Sequence, residues 1–256
     1  MNRSKTSRIL DEAEWAANFA AHLVEMHKSG VGASVTWYNH ASVQRAAKAA
    51  LNVAGFDYIG VDGVFLRWML APTLPRTSAD LVLPLLLSSF RHGGRVALVG
   101  SVRVNLEAAT RIVESLPSSL TVVYTCDGYD ELRSATELAK SVRDAQADVV
   151  IIGLGAPLQD SYALALAEAG LSSQLVLTCG GWLDQVGNPG YYPAFAYRLK
   201  LNWFFRLARE PRRLWRRYTV EAVQAFRNRR AVRSFLAGAR GVTAMTRACA
   251  SAPVPE

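Results

Sequence analysis

Six short runs rich in β-branched residues, GASVTW, FDYIGV, RVALVG, LTVVYT, DVVIIG and QLVLTC, recur along this chain. Segments of helical period and composition lie between them, among them SVQRAAKAALN, SADLVLPLLLSSF, VNLEAATRIVESL, YDELRSATELAKSVRDAQ and LQDSYALALAEAG. A helix between two strands carries the chain back to the end of the sheet where the first strand began, so the pattern predicts an α/β fold built on a parallel sheet. The runs are nearly continuous in apolar residues rather than alternating, which requires both faces of the sheet to be covered. The expected architecture is therefore Rossmann-like, a mostly parallel sheet flanked by helices.

In such a sheet ligands sit outside the carboxyl ends of the strands, so the residues just after each run are the first place to look for chemistry. These positions are polar and glycine-rich here. They are Asn39 and His40 after the first run, Asp62 and Gly63 after the second, and Gly100 and Ser101 after the third. The stretch from Gly153 through Gly155 to Gln159 follows the fifth, and Gly180, Gly181 and Asp184 follow the sixth. A carboxylate at Asp62 is placed to take a proton from an incoming hydroxyl, which is general-base work. An aspartate directly before a glycine and a helix start is equally the pattern of an N-cap. In GLGAPLQD, two glycines permit close backbone approach, Pro157 can open the next helix, and Gln159 offers a neutral hydrogen-bonding side chain, although a packing loop would look the same. The strand, glycine turn and helix order of LVGSVRVNLEAAT suits a phosphate at a helix N-terminus but lacks the full dinucleotide fingerprint, which speaks against a Rossmann oxidoreductase.

Metal chemistry has little support. His22 and His27 lie in the N-terminal helix and His92 sits beside glycines, and no two histidines share ligand spacing with a carboxylate. No DxD element is present, so the charge of a bound nucleotide diphosphate would be met by arginines rather than by a divalent ion. No cofactor is expected. Cys126, Cys179 and Cys249 are odd in number and widely spaced, which fits a reducing, cytoplasmic setting better than a disulfide framework.

Half of the 256 residues are apolar, enough for an ordered core, and the formal net charge is +8. The excess is local. From Arg198 onward the acids are Glu210, Glu221 and Glu256, against a dense series of cations. Within NPGYYPAFAYRLKLNWFFRLAREPRRLWRRYTV, the cations Arg198, Lys200, Arg206, Arg209, Arg212, Arg213, Arg216 and Arg217 are interleaved with tryptophan, tyrosine and phenylalanine. Such a segment suits an anionic partner with an interfacial character, as a membrane surface has. Pro211 divides it into two expected helices, the second carrying Leu214, Trp215, Tyr218, Ala222 and Phe226 near one face. The composition divides the chain into an α/β domain over 1–190, a membrane-associating helical appendage over 191–237, and a tail over 238–256 expected to lack order. The N-terminus has no apolar region of signal-peptide type, and no apolar run approaches the roughly 20 residues that span a bilayer. A protein peripheral on the inner face of the cell membrane is the expectation.

Taken in order, TWYNHAS, VDG, LPRTSADL, ALVGS, VVIIGLGAPLQD, CGGWLD and LNWFFRLAREPRRLWRRY resemble the WecG/TagA/CpsF family of bacterial glycosyltransferases, from about Val31 to about Tyr218. The most specific parts are GLGAPLQD, close to the family's GLGxPxQE, and the closing tryptophan and arginine motif. The resemblance implies a GT-E type fold and an inverting, metal-independent transfer of a sugar from a UDP-sugar donor to a polyprenyl-diphosphate-linked acceptor glycan. Such transfers belong to exopolysaccharide or other cell-surface polysaccharide biosynthesis. It further implies Asp62 as the base, with Thr36 in the same pocket, and Gln159 as the family glutamine. Arg206, Arg213 and Arg216 would fold over the site and contact the diphosphate, and Arg76 in the LPRTSADL motif joins the substrate-binding candidates. This chain departs from the family pattern at Asp160, where glutamate is usual, in TWYNH, where many members have TxNxH, and in RTSAD, where a glycine is missing.

A reading from another class is a non-enzymatic nucleotide-binding module whose basic tail grips nucleic acid or membrane. Clustering of Trp203, Phe204, Phe205, Trp215 and Tyr218 with the arginines suits an interface better than a phosphate track, so no nucleic-acid partner is expected. The sequence is compatible with a homo-oligomer and does not specify the donor sugar.

Overall fold

The computed structural model describes residues 11–71, 73–90, 93–186, 215–216 and 219–250. Six strands form one sheet, β1 (Ala33–Tyr38), β2 (Tyr58–Val61), β3 (Gly94–Gly100), β4 (Leu120–Cys126), β5 (Val149–Gly153) and β6 (Leu175–Thr178). Each corresponds to one of the six runs read from the sequence. Every pairing is parallel, and the spatial order is β2-β1-β6-β5-β3-β4. The chain leaves β2 at one edge and enters β3 on the far side, and β5 and β6 later fill the gap between the two halves. That crossing opens a crevice at the carboxyl ends of the central strands.

Helices cover both faces, as the apolar runs require. Successive strand residues divide between two cores: Val35, Val96, Leu98, Val149, Ile151 and Leu177 in one, and Ala97, Val99, Val150, Ile152 and Val176 in the other. The first core is closed by α1 (Glu12–Lys28), α4 (Ala79–Ser88) and α5 (Arg103–Glu114), which contribute Phe19, Leu23, Leu83, Leu86 and Leu106. The second is closed by α2 (His40–Lys48), α6 (Ala135–Asp144) and α7 (Leu158–Glu168), through Val43, Leu138 and Leu166. Truncating one of these fully buried leucines to alanine costs about 2–5 kcal/mol in comparable cores. The short helices α3 (Val64–Leu70) and α8 (Trp182–Val186) follow β2 and β6.

The C-terminal part departs from the expected disorder beyond Gly238. Three helices follow Thr219: α9 (Val220–Arg227), α10 (Arg229–Ala237) and α11 (Arg240–Ala250). Ala225, Val232 and Leu236 enter the second core, whereas Met245, Ala248 and Cys249 of α11 enter the first. Helix α11 lies along edge strand β2 and helix α1, where Asn18 Nδ2 donates to the Cys249 carbonyl at 2.9 Å. A side chain at Gly241 would stand 2.9 Å from Ile59 and 3.0 Å from the Phe56 carbonyl, so a glycine is what lets the helix approach. The small, weakly polar residues that made this tail look unstructured are the ones that permit close packing over a sheet edge, and covering an edge blocks further strand pairing. Most of the expected appendage, 191–214 with Tyr218, lies outside the described residues, as do 251–256.

Candidate active site

The carboxyl ends of the strands surround a cavity of ≈ 550 Å³. Its wall includes Asn39, Asp62, Ser101, Gly153, Gly155, Gln159, Gly180, Gly181 and Asp184, all of them candidates from the sequence. They come from five different strand ends, which is what a parallel sheet achieves by pointing every βα turn in one direction.

Asp62 is placed by the ladder itself. Its backbone N–H donates to the Tyr38 carbonyl at 2.8 Å, continuing the β1–β2 pairing one residue past the strand. The N-cap of α3 is Gly63, in the left-handed region at φ 83°, and no side-chain cap bond is made there. Asp62, directly before it, lines the cavity. Asn39 does act as a cap: its side chain accepts from the amides of Ala41 and Ser42 at the start of α2.

The loops after β5, β6 and β3 are joined by side chains. Gln159 is buried, and its side-chain oxygen accepts the Gly180 backbone N–H at 3.1 Å. Ser101, at φ 60°, donates its hydroxyl to Asp184 Oδ1, and Asn105 Nδ2 donates to the same oxygen at 3.1 Å. Gly100 packs so tightly on the Gly153 carbonyl that no side chain fits. Gly100 therefore shapes the floor without lining the cavity.

Thr36 stands one layer lower. It is fully buried, donates to Asp160 Oδ1 at 2.7 Å and lies 2.9 Å from the Thr178 hydroxyl. Thr178, the last residue of β6, carries this network to the cavity wall. Burial pushes the Asp160 carboxyl up to about 6, and hydrogen bonding to the Thr36 and Tyr38 hydroxyls opposes the rise. The Tyr38 contact falls short of ordinary hydrogen-bond geometry, leaving Asp160 Oδ2 without a well-formed partner. Burial also raises the Tyr38 hydroxyl and the Cys179 thiol, so both stay protonated.

Other candidates lie elsewhere. His40 is buried at the start of α2, edge-on to the Phe65 ring. Arg76 directs its guanidinium to Glu12 of α1 at 3.0 Å, an ion pair on the α1 side of the sheet. Arg216 is exposed, and Arg206 and Arg213 lie outside the described residues. Sequence reasoning missed Thr178, Asp160 and Arg45. Asp160 was visible only as a departure from a motif, and nothing local marks Thr178. Arg45 lines the cavity and pairs with Glu221 of α9 at 3.0 Å, which ties the C-terminal helices to the site.

A one-directional ring of βα loops around a polar crevice defines an α/β enzyme whose site is assembled from strand ends. Residues 9–240 match the Glycosyl transferase WecG/TagA/CpsF family, and the chain belongs to it; it is a glycosyltransferase. It is 26% identical over 191 residues, 70% of this chain and 77% of the relative, to the UDP-Gal:alpha-D-GlcNAc-diphosphoundecaprenol beta-1,4-galactosyltransferase of Shigella boydii. It is 27% identical over 124 residues to the N-acetylglucosaminyldiphosphoundecaprenol N-acetyl-beta-D-mannosaminyltransferase of Bacillus subtilis (strain 168), covering 48% of this chain and 47% of that one.

Proposed function

We propose that this glycosyltransferase moves a sugar, with inversion, from a UDP-sugar to a polyprenyl-diphosphate-linked glycan. The observation that carries the reading is Asp62, held by the β1–β2 ladder on the wall of the cavity that Gln159 and Asp184 also line. In a single displacement Asp62 takes the acceptor hydroxyl proton as that oxygen bonds to the anomeric carbon, and UDP departs from the opposite face. Asp62 replaces a proton acceptor that water would otherwise have to supply, a contribution of about 10²–10⁴ in rate. Arg206, Arg213 and Arg216 are proposed to meet the charge that builds on the leaving diphosphate. The two relatives support the acceptor class, since both names specify a diphosphoundecaprenol-linked saccharide.

The same reading places the protein on a membrane surface. No helix among the described residues is long and apolar enough to cross a bilayer. Instead, Val64, Phe65 and Trp68 of α3 point outward immediately after Asp62, with Trp68 64% exposed and stacked on the half-exposed Phe226 of α9. Arg229 lies over the Phe226 ring at 4.9 Å. Exposed aromatics rimmed by arginine suit the headgroup region of anionic lipid.

The test is UDP release over a panel of UDP-sugars with a lipid-diphosphate-linked saccharide as acceptor. Asp62→Asn is expected to lower turnover at least about a hundredfold while leaving the melting temperature and UDP binding close to those of the native protein. Native-like turnover in that variant would remove Asp62 as the base, and absence of UDP release with every donor would remove the reaction.

A further inference from the structure

The hydroxyl network under the cavity has a direction. A threonine hydroxyl has one hydrogen and two lone pairs, and an ionised carboxylate has only lone pairs. Thr36 Oγ1 lies 2.7 Å from Asp160 Oδ1, so with the carboxyl ionised the single Thr36 hydrogen is committed to it. The 2.9 Å contact between Thr36 and Thr178 must then be made by the Thr178 hydrogen. Thr178 lines the cavity, and what remains of its Oγ1 is lone-pair density alone. Nothing in β6 imposes this; the polarity is set by Asp160, which belongs to α7 and is fully buried.

We infer that Thr178 is a ligand-binding residue whose polarity is set whenever Asp160 is ionised: a hydrogen-bond acceptor oriented by Thr36 and Asp160. It accepts from a neutral O–H or N–H group of the bound molecule and turns away phosphate oxygens. Sugar hydroxyls and the imide of a uracil ring share that chemistry. Thr178 touches the ligand, and Asp160 is a positioning residue acting through Thr36. The choice of probes rests on the UDP-sugar reading above, while the polarity itself does not.

Two measurements on the full chain test this separately. Neutron diffraction on deuterium-exchanged crystals, grown above the Asp160 pKa, locates the hydrogens directly. Deuterium on Thr36 facing Asp160 and on Thr178 facing Thr36 is expected, and a Thr36 deuterium facing Thr178 would overturn the polarity. Calorimetric titration with uridine and with UDP-galactose then compares the native protein with Thr178→Val, which keeps the shape and removes the acceptor. A loss of about fivefold is expected, restored by Thr178→Ser, as suits one hydrogen bond. A loss for both probes assigns the partner to the nucleoside, and a loss for UDP-galactose alone assigns it to the sugar. Unchanged affinity for both probes, with only the melting temperature lowered, would make Thr178 structural and overturn its ligand role. If the native protein binds neither probe, the UDP-sugar reading fails together with the ligand role of Thr178, and the neutron result still decides the polarity.

Discussion

Gln159 at the start of α7 accepts the backbone N–H of Gly180 at the start of the turn into α8, and this 3.1 Å bond closes the cavity between β5 and β6. The two residues belong to neighbouring βα connections. The preceding amide, Cys179 N–H, makes the last bond to β5, at the Ile152 carbonyl, so the Gly180 N–H beyond the strand is left to a side-chain partner.

Gln159→Leu keeps most of the volume and removes the acceptor. It is expected to cost about 1 kcal/mol of stability, seen as a drop of a few degrees in melting temperature, and to raise the KM for donor more than it lowers kcat. Equal effects on both constants would show that the loop tie serves the chemical step rather than donor binding.

Asp160 predicts a pH dependence of stability. Burial lifts its pKa from 3.8 to about 6, so the folded protein holds this proton more tightly than the unfolded chain does across that window. Stability from this group is therefore fullest at low pH and falls as pH rises, by about 3 kcal/mol once the carboxyl is ionised. Asp160→Asn cannot ionise and should gain on the native protein by that amount between acid and neutral pH. Denaturant melts at both ends of the window check this, and a stability difference that does not move with pH would exclude it.

Helix α11 makes a prediction at Gly241. A valine there would meet Ile59 and the Phe56 carbonyl at under about 3 Å, and the backbone atom cannot yield as a flexible side chain would. Gly241→Val is expected to cost about 1–3 kcal/mol by chemical denaturation. If stability were unchanged, α11 would not be seated against β2.

The aromatic patch gives a membrane test. Trp68→Ala combined with Phe226→Ala should reduce co-sedimentation with vesicles of phosphatidylglycerol and phosphatidylethanolamine by about tenfold or more, given the apolar area removed. Folding should be little affected, since Trp68 is 64% and Phe226 47% exposed. Unaltered sedimentation would assign membrane attachment to other residues.

Much of the site was legible because strand ends can be read locally. Asp62 follows its β-branched run directly, Gln159 and Asp184 stand in the first turns of the helices after theirs, and a parallel sheet brings every such position to one rim. Arg76 shows the limit: the motif around it suggested a substrate contact, but the chain carries its guanidinium to Glu12, 64 residues earlier. Order in the tail was hidden for a related reason, since Gly241 and Ala248 look permissive until the partner surfaces of β2 and α1 are known.

The sequence by itself determined the strands and the segments that become helices between them, and with them a parallel sheet, because periodicity and β-branching act over a few residues. Only the tertiary structure decided the order β2-β1-β6-β5-β3-β4 and the network beneath the cavity. Thr36 meets Asp160 across 124 residues of chain and Thr178 across 142. No local pattern encodes which buried hydroxyl will find which carboxylate. That pairing follows from strand order and from the cost of leaving a buried polar group unpaired, and both exist only once the sheet has closed.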